Sequence, residues 1–102
     1  MIFSESLFFA RVIKMKTIVL ISCVKKKLKQ PAMAKVLYSS DLFQKMYQYA
    51  QMLTPDMIFI LSAKYGLLVP DEIIAPYEKT LKKMKISERR QWSQGVIKEL
   101  IT

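Results

Sequence analysis

Two short apolar runs constrain this chain more than any other feature. Thr17-Ile18-Val19-Leu20-Ile21-Ser22 and Met57-Ile58-Phe59-Ile60-Leu61 are rich in β-branched residues. Their apolar character is continuous rather than alternating, which marks strands buried on both faces. Between them, Leu42, Phe43, Met46, Tyr47, Ala50 and Leu53 recur at helical spacing and predict an amphipathic helix over 42–53. Ser39-Ser40-Asp41 supplies its N-cap and Thr54-Pro55-Asp56 breaks it. A last helix, capped by Ser87, carries Trp92, Val96, Ile97, Leu100 and Ile101. Strand, helix, strand, helix is the order of a parallel α/β unit. The expected fold class is therefore α/β, a small, mostly parallel sheet with flanking helices.

The remaining segments are shorter. Pro31 opens a helical stretch over 32–37, since proline tolerates a first helical turn. Leu67–Pro70 extends briefly, and Ile73–Lys85 is irregular or partly helical with a break at Pro76-Tyr77. A length of 102 residues suits one domain. Residues 1–14 read as an N-terminal extension, a short helix or a disordered arm, ahead of a natural start at Met15-Lys16. Residues 15–102 read as a single domain. Two strands make a thin sheet, so either the extension or the last segments add strands, or the chain is a truncated domain.

Charge speaks to partners. Seventeen Lys and Arg against eight Asp and Glu give +9 at pH 7. Such an excess favours polyanions, and here a nucleic acid or a phosphate-bearing small molecule is the expected partner. A positive charge placed after the apolar start argues against a signal peptide, and no apolar run reaches the roughly 18 residues of a membrane span. Leu20-Ile21-Ser22-Cys23 looks superficially like a lipoprotein box, but the apolar run before it is too short. A cytoplasmic protein with no membrane partner is expected. The single cysteine, Cys23, fits a reducing compartment. With no histidine, the 102 residues hold no Ser-His-Asp triad, Cys-His dyad or His-based zinc site. Two glycines, Gly66 and Gly95, are too few for a Walker loop or a G-x-G-x-x-G fingerprint. No cofactor or metal is expected.

In open α/β sheets ligands sit beyond the carboxyl ends of the strands. The first strand exits into Ser22-Cys23-Val24-Lys25-Lys26-Lys27 and the second into Ser62-Ala63-Lys64-Tyr65-Gly66. If the strands are parallel neighbours, both loops reach one rim bearing hydroxyls, a thiol and ammonium groups. Lysine is a point-charge partner for phosphate, and serine and backbone N–H groups complete such a cradle. Gly66 allows a positive φ or a close backbone approach. Tyr65 and Tyr77 are candidates to stack on a base or sugar. The plainer alternatives are a solvated lysine loop, a small buried Cys23, packing roles for Tyr38, Tyr47 and Tyr49, and a solvated face at Lys79, Lys82, Lys83, Lys85, Arg89 and Arg90. As a functional feature that last cluster would be a backbone-phosphate track with steep salt dependence.

Ser62-Ala63-Lys64-Tyr65-Gly66-Leu67-Leu68-Val69-Pro70-Asp71, followed by Pro76-Tyr77, resembles the Tyr-Gly-Leu-Leu-x-Pro-x-Asp…Pro-Tyr segment of the YaaA-type peroxide-stress proteins. Together with Cys23-x-Lys25-x-Lys27 and Ala34-Lys35-x-Leu37-Tyr38, the chain is similar to a small YaaA-like domain family of bacteria and phages. The resemblance covers roughly 16–100. It implies DNA binding and protection under stress. It points to Ser22, Cys23, Lys25, Lys27, Lys35, Tyr38, Ser62, Lys64, Tyr65, Gly66 and Tyr77 as ligand-binding residues. It also points to Asp71, which is the candidate catalytic acid/base in an enzymatic alternative. Such domains usually continue with another strand and helix, so the resemblance implies an incomplete domain.

Three functions compete. The first is a nucleic-acid- or nucleotide-binding module. The second is a nucleotide- or nucleobase-processing enzyme using Asp71, with Lys25, Lys27 and Lys64 holding phosphate. The third is a fragment that acts through a protein partner.

Overall fold

The computed structural model describes residues 2–9 and 12–101, with side chains from Thr17 to Ile101. Strand β1 spans Ile2–Phe9 and β2 spans Val12–Ser22. The β-branched run 17–22 forms the downstream half of β2. The stretch read as a short helix or disordered arm is instead a strand, paired antiparallel with β2 from Ile2 opposite Val19 to Phe9 opposite Val12.

Two-residue strand β3, Ala32–Met33, leads into a single helical turn, α1, Ala34–Leu37. Helix α2 spans Asp41–Met52. Ser40 caps it, its hydroxyl accepting the Phe43 N–H at 3.1 Å, as expected for a serine ahead of an amphipathic run. The helix buries Phe43 and Ala50 against the sheet. Leu53 is its C-cap, and the next residue, Thr54, takes φ +46°, a left-handed position that usually falls to glycine or asparagine.

Strand β4, Met57–Ser62, pairs parallel with β2, Ile18 opposite Met57 and Ser22 opposite Leu61. The chain turns at once into β5, Gly66–Leu68, antiparallel to β4. The sheet order is β1-β2-β4-β5. The expectation of a mostly parallel sheet is corrected: one pair is parallel, and its flanking strands run antiparallel, giving a mixed sheet. The cause is local. Gly66 takes φ +77°, which closes a tight reversal after Ser62 where a crossover would otherwise begin. Strand β6, Ile73–Ile74, pairs with β3 as a separate two-stranded ribbon. A 3-10 turn, Leu81–Lys83, precedes helix α3, Ile86–Ile101. That helix begins before Ser87, so Ser87 lies in its first turn.

The core is one cluster. Val19 and Ile21 of β2, Ile60 of β4 and Leu68 of β5 meet Leu37, Tyr38, Phe43 and Ala50 from the helical side. Tyr38, Phe43, Leu37 and Ile60 have no exposed surface. Burying such side chains contributes about 1.5–3 kcal/mol each before entropy is charged. Among the described residues no helix is long and apolar enough to cross a membrane.

Candidate functional site

The parallel pair β2–β4 sends both of its exit loops to the same side of the sheet. The ladder continues one step beyond β2, where the Cys23 N–H donates to the Leu61 carbonyl at 2.9 Å. The lysine loop is then pinned at two points beside α1. Leu28 N–H donates to Leu37 O at 2.8 Å, and Ser39 N–H donates to Lys26 O at 3.2 Å. These bonds leave Lys25, Lys26 and Lys29 exposed and Lys27 half-buried.

Ser62 ends β4 and has no exposed surface. Its Oγ accepts the N–H groups of Lys64 at 3.2 Å and Tyr65 at 2.9 Å. It donates to the Tyr77 hydroxyl at 2.9 Å. Tyr77 and Tyr38 bring their hydroxyl oxygens to 2.6 Å. The Ser62 carbonyl accepts the Trp92 indole N–H at 2.8 Å, which ties α3 to the end of β4. Three hydroxyls from three separated segments thus form one buried cluster. Burial raises the pKa of both Tyr77 and Tyr38 above the usual phenol range.

Lys27 Nζ lies 4.3 Å from the Tyr77 ring centroid and 5.7 Å from that of Tyr38, and it donates to Lys25 O at 3.1 Å. Partial burial lowers its pKa, and the nearby Cys23 and Glu78 pull it back up. Tyr65 meets the Tyr77 ring edge-on at 5.5 Å, while Lys64 Nζ sits 5.3 Å from the Tyr65 ring centroid. Lys64, Tyr65, Tyr77 and Lys27 therefore form a continuous chain of contacts linking the two exit loops.

Two adjoining hollows open over this cluster, each of about 590 Å³. The first is walled by Lys25, Lys27, Lys29, Tyr77, Glu78 and Lys83, with Leu28 and Pro76 as its apolar part. The second is lined by Ser22, Cys23, Val24, Thr80, Leu81 and Lys82. Lys25 and Lys83 line both and form the divide. Thr80 Oγ1 is buried and has no hydrogen-bond partner among the described residues. Four ammonium groups against one carboxylate make the first hollow strongly cationic.

Residues 18–102 match the model of DUF6884, a family of unknown function. The chain belongs to this family. Curated proteins and solved structures gave no match. The DUF6884 region takes in both exit loops, the hydroxyl cluster and both hollows, and does not bear on the resemblance to the peroxide-stress proteins.

Within this DUF6884 domain the sequence-predicted residues take different places relative to the hollows. Ser22, Cys23, Lys25, Lys27 and Tyr77 line the hollows. Tyr38, Ser62 and Tyr65 lie behind them. Tyr38 and Ser62 are wholly buried, and the Tyr65 hydroxyl donates to Ala75 O at 3.2 Å. Gly66 serves the turn, and a Cβ there would meet Glu99 Oε1 at 3.0 Å. Lys64 meets the cluster through its backbone N–H on Ser62 Oγ, while its ammonium lies against the Tyr65 ring. Lys35 and Asp71 line neither hollow. They form an ion pair of 2.7 Å, with the Asp71 side chain 77% exposed, and the Asp71 hydrogen bond raises the Lys35 pKa.

Sequence reasoning missed Glu78 and Thr80, and it read Lys83 only as part of a basic cluster and Trp92 only as a residue of the last helix. The residues Pro76-Tyr77-Glu78-Lys79-Thr80 pass as an irregular segment, and only the fold lays them opposite the lysine loop. Arg89, read as part of a solvated basic face, has a structural task. Its guanidinium donates to the carbonyls of Leu81 at 3.1 Å and Met84 at 3.2 Å, holding the turn that carries Lys82 and Lys83. Lys79 pairs with Glu88 at 2.8 Å.

Proposed function

We propose that this domain binds the phosphate groups of a nucleic acid or nucleotide in the cleft between the lysine loop and segment 76–83. The carrying observation is the wall of Lys25, Lys27, Lys29 and Lys83 around the first hollow. Lysine ammonium groups placed around one concavity suit phosphate oxygens, and Tyr77 at its edge offers a ring face to a sugar or base. Lys82, Lys85 and Arg90 are exposed and carry positive charge along the surface beside the cleft, which favours an extended backbone over an isolated ion.

Two features support binding over catalysis. Both lone pairs and the hydrogen of Ser62 are engaged, so it is not poised as a nucleophile. Asp71, the candidate acid/base of the enzymatic alternative, is paired with Lys35 and does not line either hollow. A role in DNA protection under stress belongs to the same proposal and rests on the motif resemblance.

The test is fluorescence anisotropy with labelled single- and double-stranded oligonucleotides across a salt series. Binding with a steep, linear log–log salt dependence and little sequence preference is the expected result. Affinity that stays constant from low to high salt overturns the proposal.

A further inference from the structure

The two hollows share a divide but differ in chemistry. Lys25 and Lys83 line both. The first hollow adds the ammonium groups of Lys27 and Lys29. The second adds one further cation, Lys82, and is otherwise walled by Cys23, Val24 and Leu81, with Ser22 and Thr80 as its uncharged polar part. Cys23, Val24 and Leu81 are half-buried, so each still has surface to offer a ligand. Among the described residues no carboxylate lines this hollow.

Both of its walls are held in place without a ligand. The Cys23 N–H continues the β2–β4 ladder at Leu61 O, 2.9 Å away, and Val24 packs against the core. The turn carrying Leu81 is fixed by the Arg89 guanidinium, which donates to Leu81 O at 3.1 Å and Met84 O at 3.2 Å, and by the buried Met84 side chain. Small-molecule sites are largely preformed in this way, apolar with a few polar groups. A phosphate ester bound at the divide must carry its organic part to one side. In the first hollow an uncharged base would strip water from ammonium groups without pairing them. In the second, Val24, Leu81 and the aliphatic lysine stems suit the flat faces of a base, and the hydroxyl-bearing residues suit its polar rim.

We propose that the second hollow is a nucleobase subsite, which takes the base of the nucleotide unit whose phosphate lies between Lys25 and Lys83. This rests on the cleft reading and narrows it to a nucleotide with an unpaired base, because a base stacked and paired in a duplex is not free to enter. A free nucleotide and an unpaired residue of a strand present the same chemistry.

The probes are ribose 5-phosphate, adenosine 5′-monophosphate, a short single strand and the same sequence as a duplex. Each is titrated into wild type by calorimetry and by NMR of the Val24 and Leu81 methyl groups. Adenosine 5′-monophosphate should bind roughly tenfold tighter than ribose 5-phosphate, the worth of one base contact. It and the single strand should shift both methyl resonances through the ring current, whereas ribose 5-phosphate and the duplex should not. Leu81→Trp, checked for folding by circular dichroism, should abolish the advantage of the nucleotide and leave ribose 5-phosphate within about twofold of wild type. Tighter binding of the single strand than of the mononucleotide names a strand as the source, and the reverse names a free nucleotide. Equal affinity for the two monophosphates, or methyl resonances that stay still while the nucleotide or the single strand binds, overturns the base subsite and leaves the phosphate cleft standing. Equal methyl shifts with the duplex overturn the requirement for an unpaired base. Failure of every probe to bind wild type overturns the cleft reading and this inference together.

Discussion

Tyr38 and Tyr77, 39 positions apart in the chain, meet through their hydroxyl oxygens at 2.6 Å, and Ser62 joins them from the end of β4. This contact ties the segment after α1 to the segment after β6 and fixes the floor of the cationic cleft.

Ser62→Ala removes the acceptor of two N–H groups and the donor to Tyr77. Leaving buried polar groups unpaired costs roughly 1–3 kcal/mol each, so a loss of about 2–3 kcal/mol is expected. Urea denaturation monitored by circular dichroism reads it directly. A variant as stable as wild type would show that the cluster contributes nothing net.

Alkaline stability should follow the two buried phenols. The folded-state pKa values of Tyr38 and Tyr77 are raised above the ordinary value near 10. The folded state therefore holds protons that the unfolded state releases. Their contribution to stability is fully present below about pH 10 and is lost as the pH rises from there through the folded-state values. Lys27 acts oppositely, because its lowered pKa relieves a burial penalty as the pH approaches the ordinary lysine range. Denaturation midpoints measured across that range should fall in wild type and fall less in a Tyr38→Phe, Tyr77→Phe double variant.

Thr54 holds φ +46° at the end of α2. An L-residue there is strained by about 1–2 kcal/mol, which glycine avoids at some entropic cost. Thr54→Gly should stabilise the domain by about 0.5–1 kcal/mol and raise the melting temperature by a few degrees. A lower melting temperature would mean that the threonine side chain makes a compensating contact.

Lys25 and Lys83 line both hollows. Removing both as alanine should weaken oligonucleotide binding and make the log–log salt slope shallower by roughly 1.5, since each phosphate contact contributes about 0.7–0.9. Lys26→Ala, outside both hollows, serves as the comparison. An equal loss of slope in the comparison would mean that only net charge matters.

Asp71→Asn should leave oligonucleotide affinity within about twofold of wild type, because neither Asp71 nor its partner Lys35 lines a hollow and such exposed pairs contribute little. A tenfold change in affinity would return Asp71 to the site.

Much of the scaffold was legible from local pattern. The β-branched runs became the parallel pair β2–β4, the apolar spacing over 42–53 became α2, and Ser40 caps it. Lys25, Lys27 and Tyr77 do line one concavity. The placement of Tyr38 and Ser62 behind the hollows was not legible, because a tyrosine that lines a concavity and one buried behind it have the same local sequence signature. Glu78 and Thr80 gave no signal, and Lys83 entered only as one charge of a basic cluster, since all three lie in or after an irregular stretch whose path depends on contacts with distant carbonyls and side chains.

Periodicity, capping and charge acted within a few residues of chain, and for that reason the amino-acid order alone determined strands β2 and β4, the main helix and the cationic character of the loop after β2. Sheet order, the antiparallel neighbours of the parallel pair, and the meeting of Tyr38, Ser62 and Tyr77 were decided only in three dimensions. Those features depend on burial and on hydrogen-bond partners tens of residues apart, which no local window contains.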